Sequence, residues 1–502
     1  MFRNLWTKIK GVMQKMGLIK GLKDLNLHRE IELSDKHYDS IQIWKELYQG
    51  YHDKIHDYYE KSILDGRKKK KRLTLNMPKV VTSELATLIF NEKCEINIGS
   101  ENESLTKLIT ETLEKNNFTQ EFQRFLEYSF ALGGMAIKAY LKKDGTIGLN
   151  FVQADSFIPI SWDNAGISEA VFVDTQHRGK YKYTHLEWHT WESELYVVAH
   201  ELFRTDKSND DVGIRVPITE IYPDLKSQVV IEKLSRPLFV YLKPNSANNI
   251  DLSSPLGISI YHNSFDTLRA IDIAYDSFER EFRLGRKRIL VPATAIRTVV
   301  DSEGNFHRYF DATDETYEAF HTGEDSKIQD IKDISVELRV DEHIAAINAL
   351  LNLLSMQIGF SPGSFSFDGV SGVKTATEVI SENSKTFRTK QSHETMVEAT
   401  LKNLVAIIVD FGDLYGLIEG ESKYNVTVTF DDSIAQDRTQ DAQYYIGLVA
   451  AGLISKKKAM MKLFNLSEED AELEIQTIHE ESRTTNDMSI DLLVWTVMLS
   501  GL

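Results

Sequence analysis

The sequence has little of the chemistry on which secreted and membrane-spanning proteins depend. Its 502 residues include one cysteine, Cys94, which excludes a disulfide framework and fits a reducing compartment. A lone thiol beside Lys93 can be reactive, but a buried small side chain is the commoner role of cysteine. The apolar run IDLLVWTVML at residues 490–499 is too short to span a bilayer. These features predict a soluble protein.

Positive charge is also scarce. The chain has 58 Lys and Arg against 75 Asp and Glu, for a net charge of −17. Because nucleic-acid affinity comes largely from phosphate neutralisation, this balance argues against a strong general DNA binder. The same negative charge is compatible with a surface past which DNA slides without binding tightly. Two stretches are basic: an amphipathic helix within residues 1–23, predicted to dock on its own protein or a neighbouring subunit, and GRKKKKR at 66–72, interpreted as a solvated turn with a nucleic-acid patch as the alternative.

The first half of the chain is predicted to be an α+β region. Residues 30–65, 76–92 and 102–132 have helical patterns. Alternating apolar residues then predict a hairpin that turns at Asp144–Gly145, followed by further strands to about residue 244. KYNVTVTF, at 423–430, is an isolated strand expected to rejoin this region.

The second half is dominated by helices. Two of them carry apolar seams at 3-4-3-4 spacing and flank a β-containing insertion at about 285–340. A third helix, from about 373 to 416, would be about 65 Å long and has a polar middle, SKTFRTKQSHET, which suggests contact with a neighbour. The seam residues are Leu268, Ile271, Tyr275, Phe278 and Phe282 in the first helix and Ile344, Ile347, Leu351, Leu354 and Ile358 in the second.

No convincing catalytic constellation is present. Asp410–Phe411–Gly412 spells a kinase metal motif but lies in a predicted helix without the other kinase motifs. HLEWH puts His185, Glu187 and His189 on one strand face, where they could hold zinc, but no fourth ligand is indicated and a structural strand is favoured. Asp431–Asp432 could bind magnesium, although a turn is favoured. The sequence predicts no enzyme, metal or cofactor.

The order of these elements and several phrases resemble portal proteins of tailed double-stranded DNA phages, in the group found in siphophages of Gram-positive bacteria. The resemblance covers most of the chain up to about residue 484. The matching phrases are LNMPKVVTSELATLIFNE, FALGGMAIKAY, ADSFIPISWDNAGISEAVF, PNSANNIDLSSPLGISIY, DTLRAIDIAYDSFEREFRLGRKRILVP, GFSPGSFSFDGVSGVKTATEV and GLISKKKAMMKLFNLSEEDAE.

The resemblance implies a multi-domain portal fold that assembles into a ring, normally of twelve subunits in the virion, at one capsid vertex. Double-stranded DNA would pass through its channel during packaging and ejection. The implied domains are a wing at 1–256, stem helices at 257–284 and 341–358, a clip at 285–340, a tunnel loop at 359–373, a spine helix with a returning wing strand at 374–430, and a helical crown at 431–502.

The same resemblance implies the partners and the candidate sites. The partners would be DNA, other copies of the chain, the terminase large subunit, a head-completion adaptor, and the major capsid and scaffolding proteins. The protein would reside in the virion, and in host cytoplasm during assembly. The DNA-facing loop residues would be Gly363, Ser364, Phe365, Ser366, Phe367, Asp368, Gly369 and Lys374, and the basic channel or clip contacts would be Arg283, Arg286, Lys287 and Arg288.

Within the loop, Phe365 and Phe367 alternate with Ser364, Ser366 and Asp368. Alternation would let both aromatic rings face a neighbouring subunit's loop while the polar side chains face DNA or water. Two alternatives remain open. One is a metal-dependent nucleic-acid enzyme using Asp431 and Asp432 or the histidine face, and the other is a capsid or tail structural protein that never surrounds DNA.

Overall fold

The architecture is taken from a computed structural model. It describes residues 35–62, 66–206, 213–285, 289–292, 298–300, 306–308, 317–320, 332–333, 336–367, 383–420, 422–431, 438–464, 468 and 471–478. These residues divide into two compact units, one with the described residues up to 367 and those from 383 to 431, the other with those from 438 onward.

The helices of the larger unit are numbered in chain order. They are α1 Asp35–Tyr48, α2 Asp53–His56, α3 Met77–Ile89, α4 Glu103–Lys115, α5 Phe118–Leu132, α6 Phe265–Leu284, α7 Val340–Ile358 and α8 Ser384–Leu414. Pro78 lies in the first turn of α3, where a missing N–H costs nothing, and Asn102 caps α4 by accepting from the Leu105 N–H.

The strands follow the alternating stretches of the sequence. They are β1 Asp57–Ser62, β2 Gly66–Lys71, β3 Glu95–Gly99, β4 Met135–Leu141, β5 Ile147–Gln153, β6 Phe157–Trp162, β7 Ile167–Arg178, β8 Tyr181–Glu192, β9 Leu195–Asp206, β10 Ile214–Val216, β11 Gln228–Ile231, β12 Phe239–Leu242, β13 Ile289–Pro292, β14 Thr298–Val300, β15 Phe306–Arg308, β16 Tyr317–Phe320, β17 Lys332–Asp333 and β18 Asn425–Thr429.

The largest sheet is an antiparallel meander in the order β10-β9-β8-β7-β6, with β11 also paired to β9. Three of its strands are twelve residues long and are joined by short connections, so each pairs with the next along the chain. The predicted hairpin is confirmed: β4 pairs with β5, and Gly145 takes the positive φ of 79° that the turn requires. KYNVTVTF does rejoin the early region, since β18 pairs with β3.

One hydrophobic core links the helices to the sheets. Most residues of α8 from Val397 to Phe411 are buried against α3, α4 and the sheets, while Ala399, Lys402 and Asn403 are exposed. Phe122, Phe157 and Tyr261 are among the largest fully buried side chains. The beginning and end of the larger unit thus share a single core.

The first seamed helix was predicted to start too early. It begins at Phe265, and residues 257–260 instead run along the end of α5, where the Ile260 N–H donates to Phe130 O. Gly257 makes this approach possible, because a Cβ there would lie 2.5 Å from Gly133 O. The second seamed helix, Val340–Ile358, agrees with its predicted bounds.

GRKKKK is a strand rather than a turn, and the helical pattern expected up to residue 65 ends at His56. Strands β1 and β2 form an antiparallel ribbon in which Tyr58 lies opposite Lys70 and Glu60 opposite Lys68. The lysines separate to alternate faces of the strand and meet tyrosines and acids across it, which relieves their mutual repulsion.

Strands also lie in the insertion between α6 and α7, as predicted. There β13 pairs in parallel with β16 and antiparallel with β17, and β14 pairs with β15. The predicted turn at residues 301–304 falls outside the described residues. In the smaller unit, α9 Arg438–Ala450 packs against α10 Lys456–Phe464, in agreement with the helical character predicted after residue 431.

Candidate functional site

Helices α6 and α7 form an antiparallel pair whose predicted seams are buried. Leu268 and Ile271 on α6, and Ile347 and Leu354 on α7, are all at most 3% exposed. The seam opens toward the insertion, where Phe282 is 44% exposed. The pair therefore buries one apolar stripe of each helix inside the subunit.

An ion pair closes the end of the pair next to the insertion. The guanidinium of Arg339, just before α7, donates to both carboxylate oxygens of Glu281 on α6, at 2.8 and 3.1 Å. These bonds, outweighing burial, lower the pKa of Glu281 to about 2. The contact fixes where the chain leaves and re-enters the helix pair.

A second polar contact anchors the middle of α6. Asp272 accepts from the Leu75 N–H at 3.0 Å and the Thr74 hydroxyl at 2.9 Å, and its carboxylate also lies 3.1 Å from His56 Nε2. One turn later, Asp276 accepts from the Leu73 N–H at 3.1 Å. Apolar spacing alone does not show these anchors, although two buried-face aspartates at i and i+4 on an amphipathic helix indicate polar partners.

The outer faces of the two helices carry exposed apolar side chains. Met356 is 56% exposed and Leu353 38% on α7, while Ile273 on α6 is 36% exposed. Single exposed apolar residues are common on protein surfaces, and three on one helix pair are compatible with a surface that another molecule covers.

The loop after α7 starts with a left-handed residue. Gly359 has φ of 89°, and a Cβ there would lie 2.7 Å from Thr389 Oγ1 of α8. Two asparagines of α7 then bind the loop backbone: Asn352 Oδ1 accepts from the Gly363 N–H at 2.7 Å, and Asn348 Oδ1 from the Phe367 N–H at 2.8 Å. The described part of the loop therefore lies back along α7.

The loop's aromatic rings pack on their own chain. Phe367 lies 5.5 Å from the Phe278 ring and 6.2 Å from that of Tyr275, both on α6, and Phe365 lies 5.1 Å from Phe360. Both rings thus have partners within the subunit, and their contact with a neighbouring loop stays a prediction. Ser364 and Ser366 are exposed, as the alternation predicted.

The remaining predicted contacts are only partly described. Arg283 is about half exposed, with Nε 3.9 Å from a carboxylate oxygen of Glu279. The others, Asp368, Gly369, Lys374, Arg286, Lys287 and Arg288, lie outside the described residues.

The polar middle of α8 is partly a core feature, contrary to its interpretation as a contact with a neighbour. Lys390 is buried, 2.7 Å from Glu394 and 3.0 Å from Asp431 O. His393 accepts from the Asn245 N–H at 3.0 Å, and burial lowers its pKa to about 4. Long-range partners that a local pattern does not show satisfy these buried groups.

The candidate catalytic carboxylates also have structural partners. Asp410 lies in α8 and accepts from Arg236 Nε at 2.8 Å. Asp431 accepts from Asn91 Nδ2 at 3.2 Å and lies 3.3 Å from Lys93 Nζ, while Asp432 is outside the described residues. Cys94 is half-buried, and burial raises its pKa, so the thiol is a packing residue rather than a nucleophile.

A further histidine, His200, lies beside the HLEWH residues and was not predicted from the sequence. His200 on β9 lies directly opposite Glu187 on β8, and its Nδ1 is 3.2 Å from His185 Nε2. His189 Nε2 donates to Glu187 at 2.8 Å, and Lys138 pairs with the other carboxylate oxygen. A two-residue turn between β8 and β9 pairs Glu192 with Leu195, and the same register places His200 opposite Glu187.

The charges in this cluster are set by burial. Burial lowers the pKa of His185 and lowers that of His200 to about 4. Burial alone would raise the pKa of Glu187, but the His189 hydrogen bond and the Lys138 charge hold it well below its usual range. At neutral pH the cluster holds neutral imidazoles around an ionised carboxylate.

Comparison with known families identifies the chain. Residues 27–488 match the profile of "Phage portal protein, SPP1 Gp6-like". The chain belongs to this family of phage portal proteins. The resemblance given by the sequence phrases is confirmed, and this portal protein is a structural, virion-associated component rather than a member of an enzyme family.

Solved structures give a weaker likeness. A chain from the neck of an empty GTA particle, computed with C6 symmetry, is 12% identical, with 77% of this chain and 88% of that chain covered and a TM-score of 0.39. One from the neck of a native GTA particle, computed with C12 symmetry, is 11% identical, with 77% and 89% covered and a TM-score of 0.37. No curated protein gives a significant match.

In the part of the chain that the structure describes, none of the helices is both apolar and long enough to cross a membrane.

Proposed function

We propose that this portal protein forms a ring around a channel for double-stranded DNA at one capsid vertex, with twelve subunits in the virion. The observation that carries this proposal is the α6–α7 pair, which is apolar on two sides. One stripe is buried within the subunit, and the exposed Ile273, Leu353 and Met356 remain for a neighbour. A closed ring of head-to-tail contacts covers such faces on every copy.

The domain assignments follow from this arrangement. The sheets made by β1–β12 and β18 form the wing together with α1–α5, α6 and α7 form the stem, the β-containing insertion the clip, α8 the spine, and α9 and α10 part of the crown. The clip docks the terminase large subunit during packaging and the head-completion adaptor later. Major capsid and scaffolding proteins contact the ring during assembly in the host cytoplasm.

The charge of the chain suits passage of DNA rather than capture. Multiplied around a ring, a net charge of −17 gives a channel with few strong phosphate contacts, so DNA slides instead of binding. The exposed Ser364 and Ser366 offer weak polar contacts in the loop. Arg283 and the basic residues that follow it reduce the repulsion between the DNA phosphates and the negatively charged channel, at the place where the stem meets the clip.

Deletion of residues 363–372 tests the channel function separately from assembly. Rings should form, because α6 and α7 themselves remain and only the packing of Phe367 on Tyr275 and Phe278 is lost, but DNA packaging or retention should fail. The matched control is Ser364→Ala, which keeps the loop backbone and should package normally. Normal packaging by the deletion variant would show that the loop is only a linker.

Two further assays separate the alternatives. The purified protein should not hydrolyse ATP, because the packaging motor is expected to be the terminase. It should also not cleave DNA in the presence of magnesium or manganese. Metal-dependent cleavage that Asp431→Ala abolishes would instead support a nucleic-acid enzyme.

A further inference from the structure

We propose that His185, Glu187 and His200 bind a divalent transition-metal ion, with Zn²⁺ the best match, on one face of the large wing sheet. This site is separate from the portal role and does not depend on ring formation. Imidazole nitrogen and carboxylate oxygen together are a donor set that Zn²⁺ takes readily.

The spacing of the donor atoms supports the assignment. One ligand atom from each of the three residues lies within 4.8 Å of the others. His185 Nε2 and His200 Nδ1 are 3.2 Å apart. Two nitrogens bound to one tetrahedral Zn²⁺ at 2.0–2.1 Å are roughly 3.4 Å apart, so the ion requires only a small movement of the two rings.

The scaffold that holds these residues is rigid. Glu187 and His200 are cross-strand partners on β8 and β9, and His185 lies two residues from Glu187 on the same face of β8. The two strands pair along their full length, with Tyr181 opposite Asp206 at one end and Glu192 opposite Leu195 at the other. Ligands on paired strands need little ordering when the ion binds.

An ion can reach this place. A cavity of about 280 Å³ opens beside the cluster and is lined by His185, Glu187, Lys138, Asp174 and Phe172, among others. The cavity is large enough to bring water to the side of the cluster formed by His185 and Glu187. Three protein ligands with one open position is a common arrangement for zinc.

Two neighbours of Glu187, His189 and Lys138, would orient its carboxylate and change its affinity for the ion. His189 donates to one carboxylate oxygen at 2.8 Å, and its other nitrogen lies 2.8 Å from the Tyr196 hydroxyl. Such outer hydrogen bonds orient ligating side chains. Lys138 pairs with the second oxygen. Its positive charge opposes that of a dication, so this lysine should weaken binding without preventing it.

The test uses the full, untagged chain after chelator treatment, titrated with Co²⁺ as a spectroscopic probe and then with Zn²⁺ in competition. We expect one tight ion per chain, a visible spectrum of tetrahedral Co²⁺, and a thermal unfolding midpoint that rises with Zn²⁺ and falls again with chelator. Failure of the wild-type chain to bind one ion per chain would overturn the inference without any variant.

Variants then locate the ion. His200→Gln and His185→Gln should each weaken binding at least about tenfold, since each removes a ligand. The matched control is His177→Gln, at an exposed position on β7 of the same sheet, which should bind as the wild type does. Equal affinity in folded His200→Gln and wild type, checked by circular dichroism, would place the ion elsewhere and contradict the assignment.

Lys138→Met should raise the affinity for Zn²⁺, whereas the histidine variants should lower it. Removing the ammonium group frees one carboxylate oxygen and removes like-charge repulsion, so affinity for Zn²⁺ should rise several-fold. The ion should also raise the thermal midpoint of this variant more than that of the wild type, because it replaces the lost counter-charge of Glu187. Affinity that does not rise would contradict placement of the ion against Glu187.

Discussion

The large antiparallel sheet and the α6–α7 pair differ in how their strands and helices find partners within the chain. The strands from β6 to β10 are paired in sequence order, and buried His189 has partners on its own strand and the next, Glu187 of β8 and Tyr196 of β9. The helix pair buries its seam but leaves Ile273, Leu353 and Met356 exposed. Both regions expose some apolar side chains, since Ile214 and Val230 on the short strands β10 and β11 are also at least half exposed. The helix pair differs because its exposed side chains lie on the elements that the proposed ring brings together.

The largest effect should follow from a change inside the seam. Leu354 is fully buried, and Leu354→Ala should lower the free energy of unfolding by about 2–5 kcal/mol, because it removes packing and leaves a cavity. Urea unfolding of the unassembled subunit measures this. Exposed Met356→Ala, two residues away, is the control and should change stability little. Equal losses in both variants would remove the distinction between the inner and outer faces.

A charge on the outer face should have the complementary effect. Met356→Asp should prevent ring assembly while preserving the fold, because a neighbour would have to bury an unpaired carboxylate. Light scattering and circular dichroism report the two properties. His177→Asp adds the same charge at an exposed position on β7, outside the α6–α7 pair, and should assemble. Normal rings from Met356→Asp would show that this face is not an interface.

The loop anchors should have a smaller effect. Asn352→Ala removes the acceptor for the Gly363 N–H and should cost about 0.5–1.5 kcal/mol or less, since the freed amide can meet water. The local result should be faster hydrogen exchange at Gly363, with α7 itself still protected. Unchanged exchange at Gly363 would contradict the anchoring role.

The smallest effect should come from the ion pair at the insertion end. The pKa of Glu281 is lower in the folded protein, about 2, than the ordinary 4.5, so the folded state binds the proton less well. The pair's contribution is therefore present above about pH 4.5 and is lost as pH falls toward 2. The midpoint of unfolding should fall less between pH 5 and 3 in Glu281→Gln than in wild type. Parallel pH profiles would show that this pair contributes nothing.

The fold was predictable where the sequence pattern is local. Heptad spacing located Ile347, Leu351 and Leu354, and alternation located the hairpin at Asp144–Gly145. The start of α6 was not predictable, because it depends on the close approach of Gly257 to Gly133, which are far apart in sequence. The ribbon formed by GRKKKK likewise depends on tyrosines and acids supplied by the partner strand.

The candidate site was predictable to a lesser extent. The exposure of Ser364 and Ser366 followed from alternation, but the packing of Phe367 on Tyr275 and Phe278 depends on the tertiary fold that brings α6 near the loop. His200 was missed because a ligand on the next strand appears only once the β8–β9 register is known. The roles of Asp272 and Asp276 were not predicted, because the apolar spacing of α6 carries no information about the polar partners of these aspartates.

Image averaging of the purified wild-type protein tests the central claim most directly. If the exposed face of α6 and α7 is covered by a neighbouring copy, averaged particles should be rings with a central hole and a definite rotational symmetry. Particles that remain single subunits at high concentration, or closed assemblies without a hole, would contradict the account.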